Sequence, residues 1–472
     1  MTAIDQGILP ERPGLLTRFL SSARGNAQRN DRLIPDEVVL QPEMRALPGF
    51  RHDAADEAEA PEPQPRPLSM SAMTAPIRPI SLRRDSIYAA FNTAMPVTDR
   101  HGLAGRNSEL EKLVEAVVVQ RKHAVVFGTR GSGKTSLARV FGDLADEAGC
   151  VALYASASGE SDFDSLFRPF LSELPMSSAG RERLKVMLGE RLDVSRLAAL
   201  LVEEVRERSI LIIDEYDRVE SDSAKQDVAT LLKLLTDIHS PVQVVLVGIA
   251  SDIDGLIAAH PSLRRHLVPQ RVSPIPRPQL ERLLASCAIN ARLAIDPDAM
   301  EALASAAMGS PYHARLFGMH AALITEASGR ELVTLADAEQ GLADALTGWT
   351  EMSEATHALF RRILWEAGSS RRMIGLAAIV AAQMLAISYE RLVRLGHEVL
   401  GGGSINEGQA RDAMARLQPA LVATPNGELW MFEDTLAPQF LLLMAKQPVA
   451  AAPPEQSPAE EMRALLRGVD GL

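Results

Sequence analysis

The residues with the clearest chemistry lie in one short glycine-rich run, which is followed at once by Ser136: Gly128-Thr129-Arg130-Gly131-Ser132-Gly133-Lys134-Thr135. Glycines without a Cβ let backbone N–H groups curl around a phosphate, and a helix that begins there directs its positive dipole end at the same anion. In such a loop Lys134 reaches the β- and γ-phosphates, and the Thr135 hydroxyl holds Mg²⁺. The run therefore predicts a site for ATP and Mg²⁺, in which Gly128 to Ser136 bind the nucleotide.

A second chemical signal is an acidic pair, Asp214 and Glu215, which directly follows the apolar stretch Ile210 to Ile213. A buried strand that ends in acidic residues delivers a carboxylate beside the phosphate loop, where Asp214 can bind Mg²⁺. Glu215 is then placed to polarise the attacking water as a general base. Acidic residues can also merely end a strand, but the upstream loop favours the catalytic interpretation.

Apolar stretches and helical patterns alternate around both motifs. Four short runs are typical of buried strands: His123 to Phe127, Val151 to Ala155, Ile210 to Ile213 and Val242 to Val247. Helical patterns cover Lys134 to Glu147, about 161 to 207 and about 222 to 238. This alternation implies an α/β fold with a parallel sheet covered on both faces. After Arg271 the strands stop, and helices are expected at Arg277 to Ala288, Asp296 to Ala307 and Tyr312 to Ser328.

The glycine-rich run, the segment Asp214-Glu215-Tyr216-Asp217-Arg218 and the elements around them resemble the AAA+ P-loop ATPases. Within these, the chain is most similar to the origin-recognition and archaeal-type initiator branch and its STAND-like bacterial relatives. The resemblance covers about residues 100 to 445. Upstream, the segment 105–110 (GRNSEL) is similar to the family's stretch that packs near the adenine. The same residues also fit a loop leading into a helix capped by Ser108, with Glu111 at the spacing of a capping box.

Three further roles are implied by the resemblance. Ser251 occupies the place of a polar sensor of the γ-phosphate, although it also fits a helix N-cap. Arg264 and Arg265 occupy the place of an arginine finger for a neighbouring subunit, which would require a homo-oligomer. Two solvated arginines at a helix end would give the same pattern. The sequence also does not show which of Arg264 and Arg265 would be the finger. Arg315, in the segment 309–315 (GSPYHAR), is similar to a second-sensor arginine, while Pro311 there is also ordinary helix capping.

Five regions are expected along the chain. They are a disordered proline-rich tail (1–85), an AAA+ nucleotide-binding domain (100–272), a helical lid (273–349), a winged-helix-like domain (350–445) and a flexible tail (446–472). The winged-helix expectation comes from several helices followed by two short apolar runs around Asn426-Gly427, a strong hairpin dipeptide. A chain of 472 residues is too long for one compact core, which agrees with several domains.

Composition bounds the remaining possibilities. The hydrophobic share of 46% and the charged share of 23% are ordinary for a soluble globular protein. Cys150 and Cys287 are far apart, so a disulfide framework is not expected and a cytoplasmic location is. No signal peptide is recognised at the N-terminus.

The uncharged stretch Met373 to Ser388 is shorter than the roughly 20 residues that span a bilayer, so a buried helix is favoured over a membrane-associated one.

The residues leave three hypotheses open for the target of the expected ATPase. One hypothesis is a slow ATPase that acts as a switch or assembly factor on double-stranded DNA through its winged helix. Another is a STAND-like signalling or defence ATPase whose C-terminal domain binds a protein, and a small-molecule kinase is a third and weaker one. The segment from Glu351 to Lys446 contains ten acidic and nine basic residues, so it is close to neutral, whereas DNA-binding modules are usually clearly basic.

Overall fold

The computed structural model describes residues 82–95, 103, 105–248, 261–384, 386–399, 407–423 and 429–447. The proline-rich segment and most of both expected tails lie outside these residues, as do Ser251 and the dipeptide Asn426-Gly427. A helix begins at Leu82, within the segment 1–85 that was expected to be disordered.

A five-stranded parallel sheet forms the centre of the nucleotide-binding region. Its strands are β1 (His123–Gly128), β2 (Val151–Ser156), β3 (Ser209–Asp214), β4 (Val242–Gly248) and β5 (Leu267–Val272). They lie in the order β2-β3-β4-β1-β5, so β1 is flanked by β4 and β5. Every residue of β3 and β4 is buried, as expected of parallel strands covered on both faces. The predicted α/β class is confirmed.

Helices precede this sheet and cover it. They are α1 (Leu82–Ala90), α2 (Asn107–Val114), α3 (Lys134–Glu147), α4 (Phe163–Leu171), α5 (Ser178–Leu188), α6 (Val194–Glu204) and α7 (Asp222–Asp237). A π-helical turn, Glu115–Val119, extends α2. The prediction that Ser108 caps α2 is wrong, because the helix already begins at Asn107 and Arg106 stands at the capping position without a side-chain cap bond.

A helical region follows the sheet. It consists of α8 (Arg277–Asn290), α9 (Pro297–Ala307), α10 (Pro311–Ala327) and α11 (Leu335–Met352). Two very short strands, β6 (Ala294–Ile295) and β7 (Leu332–Val333), pair beside these helices, so the expectation that strands stop after Arg271 misses this pair. Helix α1 packs on α8 and α10 through the buried Ile87 and Phe91. A Cβ on Gly318 would lie only 2.6 Å from Phe91, so glycine there makes room for the helix.

The C-terminal region, which we call the C-terminal module, spans residues 354–446 and is mainly helical. Its elements are α12 (Glu354–Glu366), α13 (Arg371–Met384), α14 (Tyr389–Val399), α15 (Glu407–Leu417), β8 (Leu421–Ala423), β9 (Trp430–Phe432) and α16 (Ala437–Lys446). Strands β8 and β9 pair antiparallel, as the sequence predicts. Ile387, just before α14, adds a further bridge to Trp430 through backbone hydrogen bonds of 2.7 and 2.9 Å.

The uncharged stretch is a buried helix, as the sequence favours. Residues 373 to 382 of α13 are all buried, and the helix packs most extensively on α16. Among the described residues, no helix is long and apolar enough to cross a membrane.

Candidate nucleotide site

The glycine-rich run forms the loop between β1 and α3. Gly131 and Gly133 have φ angles of +74° and +92°, in the left-handed region where a Cβ is strained. A Cβ on Gly131 would also lie 3.1 Å from the Leu436 side chain and 3.2 Å from Ser310 Oγ. Both the backbone conformation and the close packing therefore require glycine in the middle of the loop.

Lys134 turns back into this loop. Its ammonium donates to the carbonyl oxygens of Gly128 at 3.1 Å and Thr129 at 3.0 Å. Burial lowers the pKa of the ammonium, while the nearby charges of Asp217 and Asp214 oppose that shift. The buried Ser132 Oγ has no hydrogen-bond partner within the described residues. A cation and an unpartnered hydroxyl inside a glycine cradle fit the phosphates of a nucleotide.

A cavity of about 590 Å³ opens beside the loop, within the size range typical of small-molecule sites. The residues predicted for nucleotide, metal and catalysis that line it are Arg130, Gly131, Ser132, Gly133, Lys134, Thr135, Ser136, Asp214, Glu215 and Arg315. Gly128 and Thr129 do not line the cavity, and their carbonyl oxygens accept the Lys134 hydrogen bonds. The fold thus brings both motifs and the lid arginine to one cavity.

Asp214 ends β3 with both carboxylate oxygens held. One accepts the backbone N–H of Glu215 at 2.8 Å, and the other accepts the hydroxyl of Tyr154 on β2. The described residues contain no cluster of three or more His, Cys, Asp or Glu side chains suited to a metal. A Mg²⁺ ion in a nucleotide site needs only one or two carboxylates besides phosphate and water oxygens, so Asp214 and the Thr135 hydroxyl fit that donor set.

Glu215 lies beside the cavity in an uncommon backbone conformation. Its φ of +54° is in the left-handed region, which a residue other than glycine rarely adopts and which clusters at functional sites. Its carboxylate pairs with Arg218 at 3.2 Å, and both side chains are substantially exposed. Such an exposed pair is weak, so Glu215 can leave it for a water molecule at low cost.

Arg106 lines the cavity and supports the loop, a role that the sequence does not reveal. Its side chain is 3% exposed and donates to the Ser132 carbonyl at 2.9 Å and to Glu109 at 2.8 Å. Burial lowers the pKa of the guanidinium, while its pairing with Glu109 opposes the shift. The three-residue spacing of Arg106 and Glu109 was the available signal, although it does not identify Ser132 as a partner.

Leu103, Ile275, Leu283 and the segment 92–95 also line the cavity. Asn92 accepts the backbone N–H groups of Ala94 at 2.9 Å and Met95 at 3.1 Å, which turns the chain after α1. Sequence reasoning did not assign the segment 92–95 to the site, because its contribution depends on how α1 packs on the lid.

The lid reaches the loop through Ser310. Its hydroxyl donates to the Gly131 carbonyl at 3.3 Å and caps α10 by accepting the N–H of His313. The His313 ring, 2.9 Å from the same hydroxyl, is fully buried, and burial lowers its pKa to about 3. His313 is therefore neutral at physiological pH. Arg315, one turn into α10, lines the cavity where the resemblance places a sensor.

The C-terminal module also contributes to the cavity. Glu433 and Thr435, between β9 and α16, line it, and Leu436 packs against Gly131. Phe440 on α16 stacks on Trp349 of α11 at 4.8 Å and meets His313 edge-on at 5.4 Å. These contacts between distant parts of the chain were not predicted.

Arg264 and Arg265 do not line the cavity of their own chain. They lie exposed on the 3₁₀ turn Pro261–Arg265, which the buried Leu263 anchors. Their role as a finger for a second subunit stays a prediction, as does the sensor role of Ser251, which lies outside the described residues.

Residues 118–257 match a family model described as an AAA domain. The ORC2 protein of Aeropyrum pernix, solved as ADPNP–ADP complexes, is 15% identical with a TM-score of 0.43, covering 75% of this chain and 96% of that one. CDC6P from Pyrobaculum aerophilum is 16% identical with a TM-score of 0.42, covering 76% and 97% respectively.

The Holliday junction branch migration motor RuvB of Thermotoga maritima is 17% identical with a TM-score of 0.38, covering 72% of this chain and 96% of that one. No curated protein matches the chain significantly. The family match and the five-stranded sheet confirm the predicted resemblance to the AAA+ P-loop proteins.

Proposed function

We propose that this protein is an ATP-hydrolysing switch in which the C-terminal module responds to the nucleotide. One observation carries the proposal: Glu433 and Thr435 line the same cavity as the phosphate-binding loop, and Leu436 touches Gly131. A nucleotide held by the loop in this cavity would therefore lie beside the module. In this proposal Lys134 and the loop hold the phosphates, Thr135 and Asp214 hold Mg²⁺, and Glu215 activates water.

Charge gives the switch a direction. A carboxylate at Glu433 opposes the extra negative charge that distinguishes ATP from ADP, so the packed module suits ADP better than ATP. The module is tied to the lid by the Trp349–Phe440 stack and by Gln383, which donates to the Met308 carbonyl at 3.2 Å. ATP binding would then shift the equilibrium towards a state in which the module moves away from the loop.

The direction is tested by neutralising Glu433. Two unit charges about 4 Å apart in water interact by about 1 kcal/mol, which corresponds to a roughly fivefold change in affinity. Glu433→Gln should therefore tighten binding of a non-hydrolysable ATP analogue about fivefold and that of ADP clearly less. Fluorescent-nucleotide titration of the full chain measures both affinities.

Glu354→Gln is the matched control, because Glu354 is an exposed carboxylate of the same module that does not line the cavity. It should leave both affinities unchanged. An equal change for ATP analogue and ADP in Glu433→Gln, or no change in either, would contradict the proposed direction.

The target of the switch is a separate question, and duplex DNA is the first expectation from the sequence. The order of α13, Ile387, α14, α15, β8 and β9 resembles that of a winged helix, in which α15 would be the helix offered to a groove. That helix carries two acidic and two basic residues. Arg411 pairs with Glu407 at 3.7 Å, and Arg416 pairs with Asp412 at 2.8 Å. A helix whose charges cancel internally favours a protein partner over a phosphate backbone.

Arg371, one of the nine basic residues between Glu351 and Lys446, is not free to contact a DNA phosphate. Its guanidinium instead donates to the carbonyl oxygens of Met444, Ala445 and Gln447 at 2.8, 3.1 and 2.7 Å, and so caps the end of α16. Partial burial lowers its pKa. The reason is geometric: the carbonyl groups at a helix end need donors, and Arg371 lies where it supplies them.

The C-terminal module is therefore proposed to dock a partner protein, with duplex DNA as the alternative. Arg361, Arg362 and Arg394 are exposed and could contact three phosphates, for which log affinity against log salt would have a slope of roughly −2.7. We expect the full chain to show no salt-sensitive binding to duplex DNA near 50 mM salt, with or without ATP. Salt-sensitive binding with a slope of roughly −2.7, which becomes shallower in Arg361→Ala/Arg362→Ala, would establish the DNA alternative instead.

A further inference from the structure

Three side chains contact one another in succession beside the candidate metal site. The Arg139 guanidinium of α3 lies 4.3 Å above the centre of the Tyr154 ring. The hydroxyl of Tyr154, on β2, donates to one carboxylate oxygen of Asp214, at the end of β3. Arg139 and Asp214 both line the cavity, whereas Tyr154 lies behind them. None of the motifs that predict the site includes Tyr154 or Arg139.

The strand register explains this arrangement. Strands β2 and β3 are parallel neighbours in which Ser156 lies opposite Asp214 and Tyr154 lies opposite Ile212. Side chains two residues apart on a strand share a face, so Tyr154 and Asp214 project from the same face of the sheet. A tyrosine is long enough to cover the two-residue offset and reach the carboxylate. A shift of one residue in register would place the ring on the opposite face.

The tyrosine is held as a hydrogen-bond donor. Its hydroxyl donates a hydrogen bond to the Asp214 carboxylate, which as an ionised group can only accept. The contact with Arg139 fixes the ring from its other side through a cation–π interaction. The Nε of Arg139 is buried without a hydrogen-bond partner among the described residues. The contact with the Tyr154 ring is therefore one of the interactions that hold the guanidinium.

We propose that Tyr154 is a positioning residue for the Mg²⁺-binding carboxylate of Asp214, an inference that rests on the proposed function. The backbone N–H of Glu215 holds one carboxylate oxygen and Tyr154 holds the other, so the carboxylate plane is fixed before the ion arrives. Each oxygen retains a further lone pair for Mg²⁺ or for a water molecule bound to it. Outer-shell partners of this kind orient the ligand and increase metal affinity.

The test is the Mg²⁺ dependence of nucleotide binding in Tyr154→Phe. This variant keeps the ring beneath Arg139 and removes only the hydroxyl. The Mg²⁺ concentration for half-maximal binding of a fluorescent ATP analogue to the full chain should rise about tenfold, the lower end of the effect of losing an outer-shell partner. Binding of the same analogue in EDTA should stay within about twofold of wild type, because Tyr154 acts through the metal ligand.

The chain contains a matched control in Tyr389. Its hydroxyl donates to Glu407 at 3.0 Å, and Arg411 lies 5.2 Å from its ring centre, so an arginine, a tyrosine and a carboxylate also meet outside the cavity. Tyr389→Phe should leave the Mg²⁺ titration unchanged.

Superimposed Mg²⁺ titrations of Tyr154→Phe and wild type would overturn the inference alone. An equal loss of analogue binding with Mg²⁺ and in EDTA would also overturn it, since that outcome shows a general packing role. If wild type bound no analogue at any Mg²⁺ concentration, the proposed function would fail and the inference with it.

Discussion

Replacing Lys134 by alanine is expected to abolish binding of a fluorescent ATP analogue while the chain stays folded. The Lys134 ammonium is a partly buried cation of the loop, and among the described residues it donates to the backbone carbonyl oxygens of Gly128 and Thr129. Phosphate oxygens are stronger acceptors, so both hydrogen bonds can be exchanged for charged ones. Each charged hydrogen bond contributes about 1.5–3 kcal/mol, so the loss of two should weaken binding by roughly 100-fold or more.

Equilibrium titration of the full chain measures this effect, and circular dichroism with thermal unfolding checks the fold. Lys112→Ala is the matched control, because Lys112 is an exposed lysine on α2 that does not line the cavity. Undiminished binding in a folded Lys134→Ala chain would show that the nucleotide binds elsewhere.

The nucleotide loop could be predicted because its determinants are local. Strand β1, the glycines and the first turn of α3 follow one another in sequence, and each residue type has its own geometric reason to be there. Helix α3 spans the residues that its pattern predicts, Lys134–Glu147. The four buried strands were found for the same reason, since a continuous apolar run marks a strand that is covered on both faces.

Strand β5 was missed for a physical reason. It lies at the edge of the sheet and contains Pro269, Gln270 and Arg271, so its sequence lacks a continuous apolar run. Proline is tolerated at an edge because a neighbour on only one side leaves some N–H groups without a ladder bond to form. Strand β5 is therefore recognised by its pairing with β1, which is distant in sequence, and not by its own residue pattern.

The remaining parts of the site depend on contacts between distant residues. Glu433 lies about 300 residues after the loop, and no local pattern links the two. Tyr154 reaches Asp214 only because β2 and β3 are neighbours in the sheet. Arg371 resembles a solvent-facing arginine in sequence, and only the packing of α13 against α16 shows that it caps a helix.

Glu215→Gln is expected to bind ATP normally and to hydrolyse it roughly 100-fold more slowly, or slower still, the usual scale for loss of a general base. Glutamine keeps the size of the side chain, so the strained backbone at residue 215 is not further disturbed. The amide cannot accept a proton from water at neutral pH, which removes the chemical step and not the binding. The pair with Arg218 is exposed, so its loss should affect stability little.

Single-turnover hydrolysis measures this chemical step apart from product release. Glu220→Gln is the matched control, because Glu220 is an exposed carboxylate five positions further on that does not line the cavity. It should hydrolyse ATP at the wild-type rate. A wild-type rate in Glu215→Gln would remove Glu215 as the base and direct attention to Asp217, the other acidic residue of this segment that lines the cavity beside Asp214. No hydrolysis by wild type would instead mean that ATP binding alone drives the switch.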